Sequence, residues 1–180
     1  MDDEIKINDS VIRLVKGDIT DIDVECFVFY AQSNLKLGSG YGTAISVRGG
    51  PSIQEELDKL SPIEAGQAVV SEAGNLKASK IIHANGPKFQ EENLGEKLKT
   101  TVDNCLKLAD EKGIKQIAFP AMGTGFYGIP ADVCARITIE SVTRHLQNGS
   151  PVKEVILCML DNREYSPFKA ELAALNQDRS

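Results

Sequence analysis

The chain has 180 residues, 42% of them hydrophobic and 26% charged, with 15 glycines, 7 prolines and no tryptophan. That fits one domain of roughly 100–200 residues with a core large enough to stand without covalent staples, and it excludes disordered and fibrous classes. Twenty Lys and Arg against 26 Asp and Glu give a net charge of −6; this excludes an electrostatic grip on naked nucleic acid, yet leaves room for a small anion held by backbone N–H groups.

The chain opens on acidic Met1-Asp2-Asp3-Glu4, with no apolar signal-peptide core behind it. No run approaches the ~18 apolar residues of a membrane span, so the expected location is cytoplasmic, with no membrane partner. Residues 11–15 and 25–30 read as strands, β-branched and aromatic between turn signals. Five glycines then crowd residues 38–50. A helix is expected from about Gly42, restarting after Pro51. Residues 67–71 and 80–84 are further strands. Leu94, Leu98, Val102, Cys105, Leu106 and Ala109 recur at three- and four-residue spacing and predict an amphipathic helix ended by Gly113. A short buried strand at 116–119 follows. Pro130 opens a helix whose inner face carries Val133, Ile137, Val142 and Leu146, residues 154–160 form an apolar strand, and Ser166-Pro167 caps and starts the last helix.

Strands alternating with helices predict a layered α/β fold, the sheet covered on both faces, in a single domain over residues 1–180. Cys26, Cys105 and Cys158 lie in apolar runs and Cys134 has no C-x-x-C partner, so all four read as reduced core thiols. His83 reads as a core histidine and His145 as a surface residue near a helix end. Two isolated histidines give no metal-site spacing, and no cofactor is expected.

Two glycine-rich segments sit at strand-to-helix junctions, where α/β sheets bind ligands. They are Gly38-Ser39-Gly40-Tyr41-Gly42 and the longer run from Phe119 through Gly123-Thr124-Gly125-Phe126-Tyr127-Gly128 to Pro130. Glycines let successive N–H groups turn toward an oxyanion, and a helix start adds its partial positive charge. The second run matches G-x-G-x-x-G, which by itself is a weak sign of a dinucleotide-binding domain. It lies late in the chain, and no acid stands about 20 residues on, near Asn148-Gly149-Ser150. Two such junctions in one small domain suit two phosphates or a diphosphate.

Three segments together resemble the macro domain, an ADP-ribose-binding family. Val15-Lys16-Gly17-Asp18-Ile19-Thr20 is similar to its opening strand and turn, Ile81-Ile82-His83-Ala84-Asn85-Gly86-Pro87 to its central strand, and the run from Ala121 to Pro130 to its distal phosphate loop. Residues 64–115 also resemble the macro domain of a vertebrate histone variant. The resemblance implies a three-layer α/β/α fold with a mixed central sheet. It implies that Asp18, with Ile19 beside it, meets the adenine. Ser39, Gly40 and Tyr41 would cradle the diphosphate. Gly123, Thr124, Gly125, Phe126 and Tyr127 would hold the second phosphate and distal ribose. Leu160 falls where an aromatic often stacks on adenine.

The sequence also departs from that family. Its Asn-Ala-Ala-Asn aligns with Phe29-Tyr30-Ala31-Gln32, so Gln32 replaces the Asn that touches the distal ribose, and Gly42 stands where hydrolytic members often carry Asp. The expected partner is therefore ADP-ribose or an ADP-ribosylated protein, bound by a reader. The alternatives are a weak ADP-ribosyl hydrolase with Gln32 as the candidate catalytic residue, and a binder of another nucleotide diphosphate. On the missing-base reading, Asp at position 42 is expected to raise turnover.

Overall fold

The computed structural model describes residues 3–179, except the side chain of Phe126. Its elements in chain order are β1 (Glu4–Ile7), β2 (Ser10–Lys16), β3 (Cys26–Tyr30), α1 (Tyr41–Gly49), α2 (Ser52–Leu60), β4 (Ala68–Glu72), β5 (Lys80–Ala84), α3 (Leu94–Glu111), β6 (Gln116–Phe119), α4 (Ala131–Gln147), β7 (Glu154–Met159) and α5 (Asn162–Arg179). They build one seven-stranded sheet of order β1-β2-β7-β6-β3-β5-β4. The five inner strands run parallel, while β1 on β2 and β4 on β5 are antiparallel. The sheet is mixed and the fold is α/β.

Strand alternation sends side chains to two cores, one on each face. Along β7, Val155, Leu157 and Met159 join the core under α3, α4 and α5, and Ile156 and Cys158 join the core under α1 and α2. Cys26 and Val28 face the first core from β3, and Phe27 faces the second. A central strand buried on both sides must be apolar at every position, which is why β7 lacks polar alternation. All four cysteines are free and buried; burial pushes the thiols of Cys26 and Cys134 up to about 12 and that of Cys158 up to about 11.

The structure corrects the sequence reading at three places. Strand β1 was not expected: four residues with only two buried side chains carry too short a pattern, and pairing with β2 creates the strand. The last helix starts at Asn162 rather than at Ser166-Pro167. Asp161 caps it, its Oδ1 accepting from the Arg163 amide at 3.0 Å and its carbonyl from the Tyr165 amide at 2.9 Å. Pro167 lies inside that helix, and the carbonyl its missing N–H would have served belongs to exposed Arg163, open to water. His145 is not a surface group; it is tucked between helix ends, with Nε2 2.9 Å from Asp110 Oδ2 and only 19% of the side chain exposed.

Candidate functional site

In the strand order, the connection from β6 leads to β7 on one side and that from β3 leads away to β5 and β4 on the other. The chain paths part between β3 and β6, so a crevice opens beyond their carboxyl ends. Both glycine-rich segments emerge there and line one cavity of about 710 Å³, a size that suits a small organic ligand.

The segment after β3 is shaped by burial. Leu35 and Leu37 are buried in the core beneath α1 and α2. Gln54 of α2 pins their backbone, accepting from the Leu37 amide at 3.0 Å and donating to the Leu35 carbonyl at 3.1 Å. This path lays the Leu37 carbonyl against Gly42, where an added Cβ would stand 1.6 Å from that oxygen. No side chain fits at position 42 without moving the loop, so Asp there is not expected to raise turnover. Gly40 caps α1 with φ 62° and ψ −128°, and its Cβ direction is open.

The segment after β6 is held from within. The Ile129 amide donates to the Gly123 carbonyl at 2.9 Å and the Gly128 amide to the Gly125 carbonyl at 3.0 Å. Ile129 packs over Gly123, where a Cβ would meet its Cδ1 at 2.3 Å. Thr124 Oγ1 donates to the Ala121 carbonyl at 3.0 Å. The amides of Gly40, Tyr41 and Thr124 find no acceptor among the described residues. Such turns present N–H groups to an anion.

Most of the residues singled out in the sequence line this cavity: Ile19, Gln32, Ser39, Gly40, Tyr41, Gly123, Thr124, Tyr127 and Leu160. Leu160 is 52% exposed. Asp18 and Gly125 are not on the cavity wall, and the side chain of Phe126 lies outside the described residues. The Asp18 carboxylate already has neighbours of its own. Oδ1 accepts from the Thr20 amide at 2.9 Å and from Thr20 Oγ1 at 2.6 Å, and Oδ2 pairs with Arg48 at 2.8 Å. Burial alone would raise its pKa, but Arg48 and Thr20 hold it below the ordinary carboxylate value. Asp18 caps the 3₁₀ turn Ile19–Asp21 and so positions Ile19.

Tyr30, which the sequence offers both as a sheet residue and as a pocket residue, lines the cavity, donates its hydroxyl to the Pro87 carbonyl and lies 5.0 Å, centroid to centroid, from the Tyr127 ring. The structure adds two groups that sequence spacing did not single out, Lys88 and Glu164. Lys88 covers both rings, its Nζ 5.5 Å and 5.3 Å from their centroids, and donates to the Ala31 carbonyl at 3.0 Å. Burial pulls its pKa down. Burial also pushes the phenols of Tyr30 and Tyr41 far above their ordinary value, so both stay neutral donors. Glu164 from α5 is the one charged side chain on the wall among the described residues. No signal links it to the glycine loops, since it lies 40 residues from Thr124.

His83 stays in the core. Its Nε2 lies 2.8 Å from Ser71 Oγ, its Nδ1 has no partner, and burial pulls its pKa down to about 3. The ring is neutral and stands off the cavity wall.

The Macro domain family model matches residues 30–138. The chain is 40% identical over 172 residues to a macro domain-containing protein of Caldanaerobacter subterraneus subsp. tengcongensis, covering 92% of this chain and 98% of that one. It is 39% identical over 170 residues to a macro domain-containing protein of Streptomyces griseus, covering 91% and 95%. Among solved structures, a mutant Oceanobacillus iheyensis macrodomain with ADPR superposes with a TM-score of 0.91 at 27% identity, over 97% of this chain and 98% of that one. The same macrodomain with ADP gives a TM-score of 0.91, over 97% and 96%. With relatives at this identity matched nearly end to end, the chain belongs to the macro domain family.

Proposed function

We propose that this domain binds ADP-ribose, free or as the terminal group on a modified protein, and acts as a reader. The observation that carries the reading is the meeting of two glycine-rich turns at one cavity, with the amides of Gly40, Tyr41 and Thr124 free of protein acceptors and no cation on the wall among the described residues. Backbone N–H groups hold phosphate without Lys or Arg. The base lies between Ile19 and Leu160, an aliphatic contact in place of stacking. The diphosphate lies between the turn at 38–42 and the turn at 123–125, and the distal ribose reaches Gln32 beside the Tyr30–Tyr127 pair. That the similar Oceanobacillus iheyensis macrodomain has been solved with ADPR and with ADP supports ADP-ribose as the ligand.

Reader is favoured over hydrolase by the cavity's chemistry. No carboxylate stands at Gly42, and the local packing forbids one. Gln32 keeps an amide but carries it one methylene beyond the Asn it replaces, and a small misplacement costs about 100-fold in rate.

Calorimetry with ADP-ribose, ADP, AMP and NAD tests both ends of the site. ADP-ribose is expected to bind most tightly and, at 100 times its dissociation constant, to stabilise by about 2.7 kcal/mol. For a chain of this length that is roughly 5–10 °C in Tm. Absence of heat and of any Tm shift at millimolar ADP-ribose would defeat the proposal.

A further inference from the structure

We propose that Glu164 reads the ribose attached to the base through its vicinal hydroxyls, and that its charge excludes ligands phosphorylated there. The inference rests on the ADP-ribose reading and sharpens its specificity.

Glu164 sits in the first turn of α5, and its two oxygens have different surroundings. Oε1 accepts from the Leu160 amide at 2.8 Å, one residue before the cap Asp161, whose side chain accepts from the Arg163 amide. Oε2 lies 3.4 Å from Thr124 Oγ1. That hydroxyl has one proton, and its shorter contact is to the Ala121 carbonyl at 3.0 Å. Oε2 is therefore left without a donor of its own. Arg163, next in the chain, turns to Asp161 instead, at 2.8 Å. A carboxylate thus lines a cavity that is otherwise uncharged among the described residues, and burial first, then Glu164, push the Tyr41 phenol up.

Its place along the ligand follows from its two neighbours. One is Leu160, a wall of the base end; the other is Thr124, in the phosphate turn. What lies between a base and its diphosphate is a ribose. A carboxylate only accepts hydrogen bonds, and beside a diphosphate it repels unless a donor intervenes. Vicinal ribose hydroxyls are two such donors in the right place, and charge-assisted hydrogen bonds of this kind are strong. Dinucleotide sites use the same chemistry: an acid on the ribose hydroxyl accepts the plain ribose, whereas a 2′-phosphate needs an Arg.

The test is calorimetry on the full chain with ADP-ribose, its 2′-deoxy form and its 2′-phosphate, both changes on the ribose next to adenine. The wild type is expected to lose about ten- to a hundredfold in affinity for the 2′-deoxy form, the worth of one hydrogen bond to a charged group. For the 2′-phosphate the loss should be larger. Glu164→Gln keeps an oxygen for the Leu160 amide and removes the charge, so both gaps should narrow to within about tenfold. Glu164→Asp, which withdraws the carboxylate by one methylene, should narrow the 2′-deoxy gap and serves if the Gln variant unfolds. Equal wild-type affinity for all three ligands, or discrimination surviving in both variants, overturns the inference and leaves ADP-ribose binding intact. If the wild type fails to bind ADP-ribose itself, the functional reading falls, and this inference with it.

Discussion

The two glycine-rich turns serve one cavity, yet each divides its glycines between two jobs. In the turn after β3, Gly42 is locked: its Cβ direction points onto the Leu37 carbonyl at 1.6 Å, while Gly40 has nothing within 4 Å. In the turn after β6, Gly123 is locked under Ile129, with a Cβ contact of 2.3 Å, and Gly125 is open. A locked glycine lets two pieces of the chain approach, so its worth is in folding. An open glycine with positive φ supplies a backbone direction that L side chains rarely adopt, so its worth is in where the amides point. The turns also differ in anchorage. The first is pinned from outside by Gln54 of α2, and the second closes on itself through Gly123–Ile129 and Gly125–Gly128.

Gly42→Asp should have the largest effect and should act on the fold. Placing a side chain on a backbone carbonyl overpacks the turn and costs on the order of 3 kcal/mol or more, roughly 6–12 °C in Tm for a chain of this length. Thermal unfolding reads it directly. An unchanged Tm with a gain in ADP-ribosyl hydrolysis would break the distinction and revive the missing-base account.

The next variant separates open glycines by position. Gly40→Glu puts a carboxylate on the cavity wall beside the proposed diphosphate, and like-charge juxtaposition costs several kcal/mol. Affinity for ADP-ribose should fall on the order of a hundredfold or more, at about 1–3 kcal/mol of backbone strain. Gly125→Glu lies off the wall and should weaken binding less than Gly40→Glu does. Titration calorimetry on both, with Tm as control, gives the ranking, and a reversed ranking would move the diphosphate toward the second turn.

Gly113 offers the smallest effect. It ends α3 with φ +68°, has nothing within 4 Å of its Cβ direction, and lies before β6, whereas the second turn follows the other end of that strand. Gly113→Ala should cost about 1 kcal/mol for the left-handed backbone and leave affinity unchanged. A change in affinity would show that an open glycine signals more than local geometry.

Much of the fold was legible because periodicity is a local property. The apolar stripe of α3 and the continuous apolar run of β7 announce one buried face and two buried faces respectively, and the structure places them so. The cap of α5 was misread because Ser166-Pro167 makes a convincing start on its own, whereas Asp161 had to be seen accepting from the turn that follows it. Strand β1 carries too few residues to signal itself without its partner.

The site divides in the same manner. The sequence by itself determined the α/β class, the two glycine turns and the residues of the motifs, because turn chemistry is written in adjacent residues. Tertiary structure alone decided that the turns meet, since strand order places β6 beside β3 although 85 residues separate Gly38 from Gly123. It also decided that Asp18 holds Thr20 and Arg48, that Gly42 admits no side chain, and that Glu164 reaches the cavity. Each of these depends on a contact between distant segments. The geometry of such a contact is set by packing two cores on one sheet, and no local pattern encodes it.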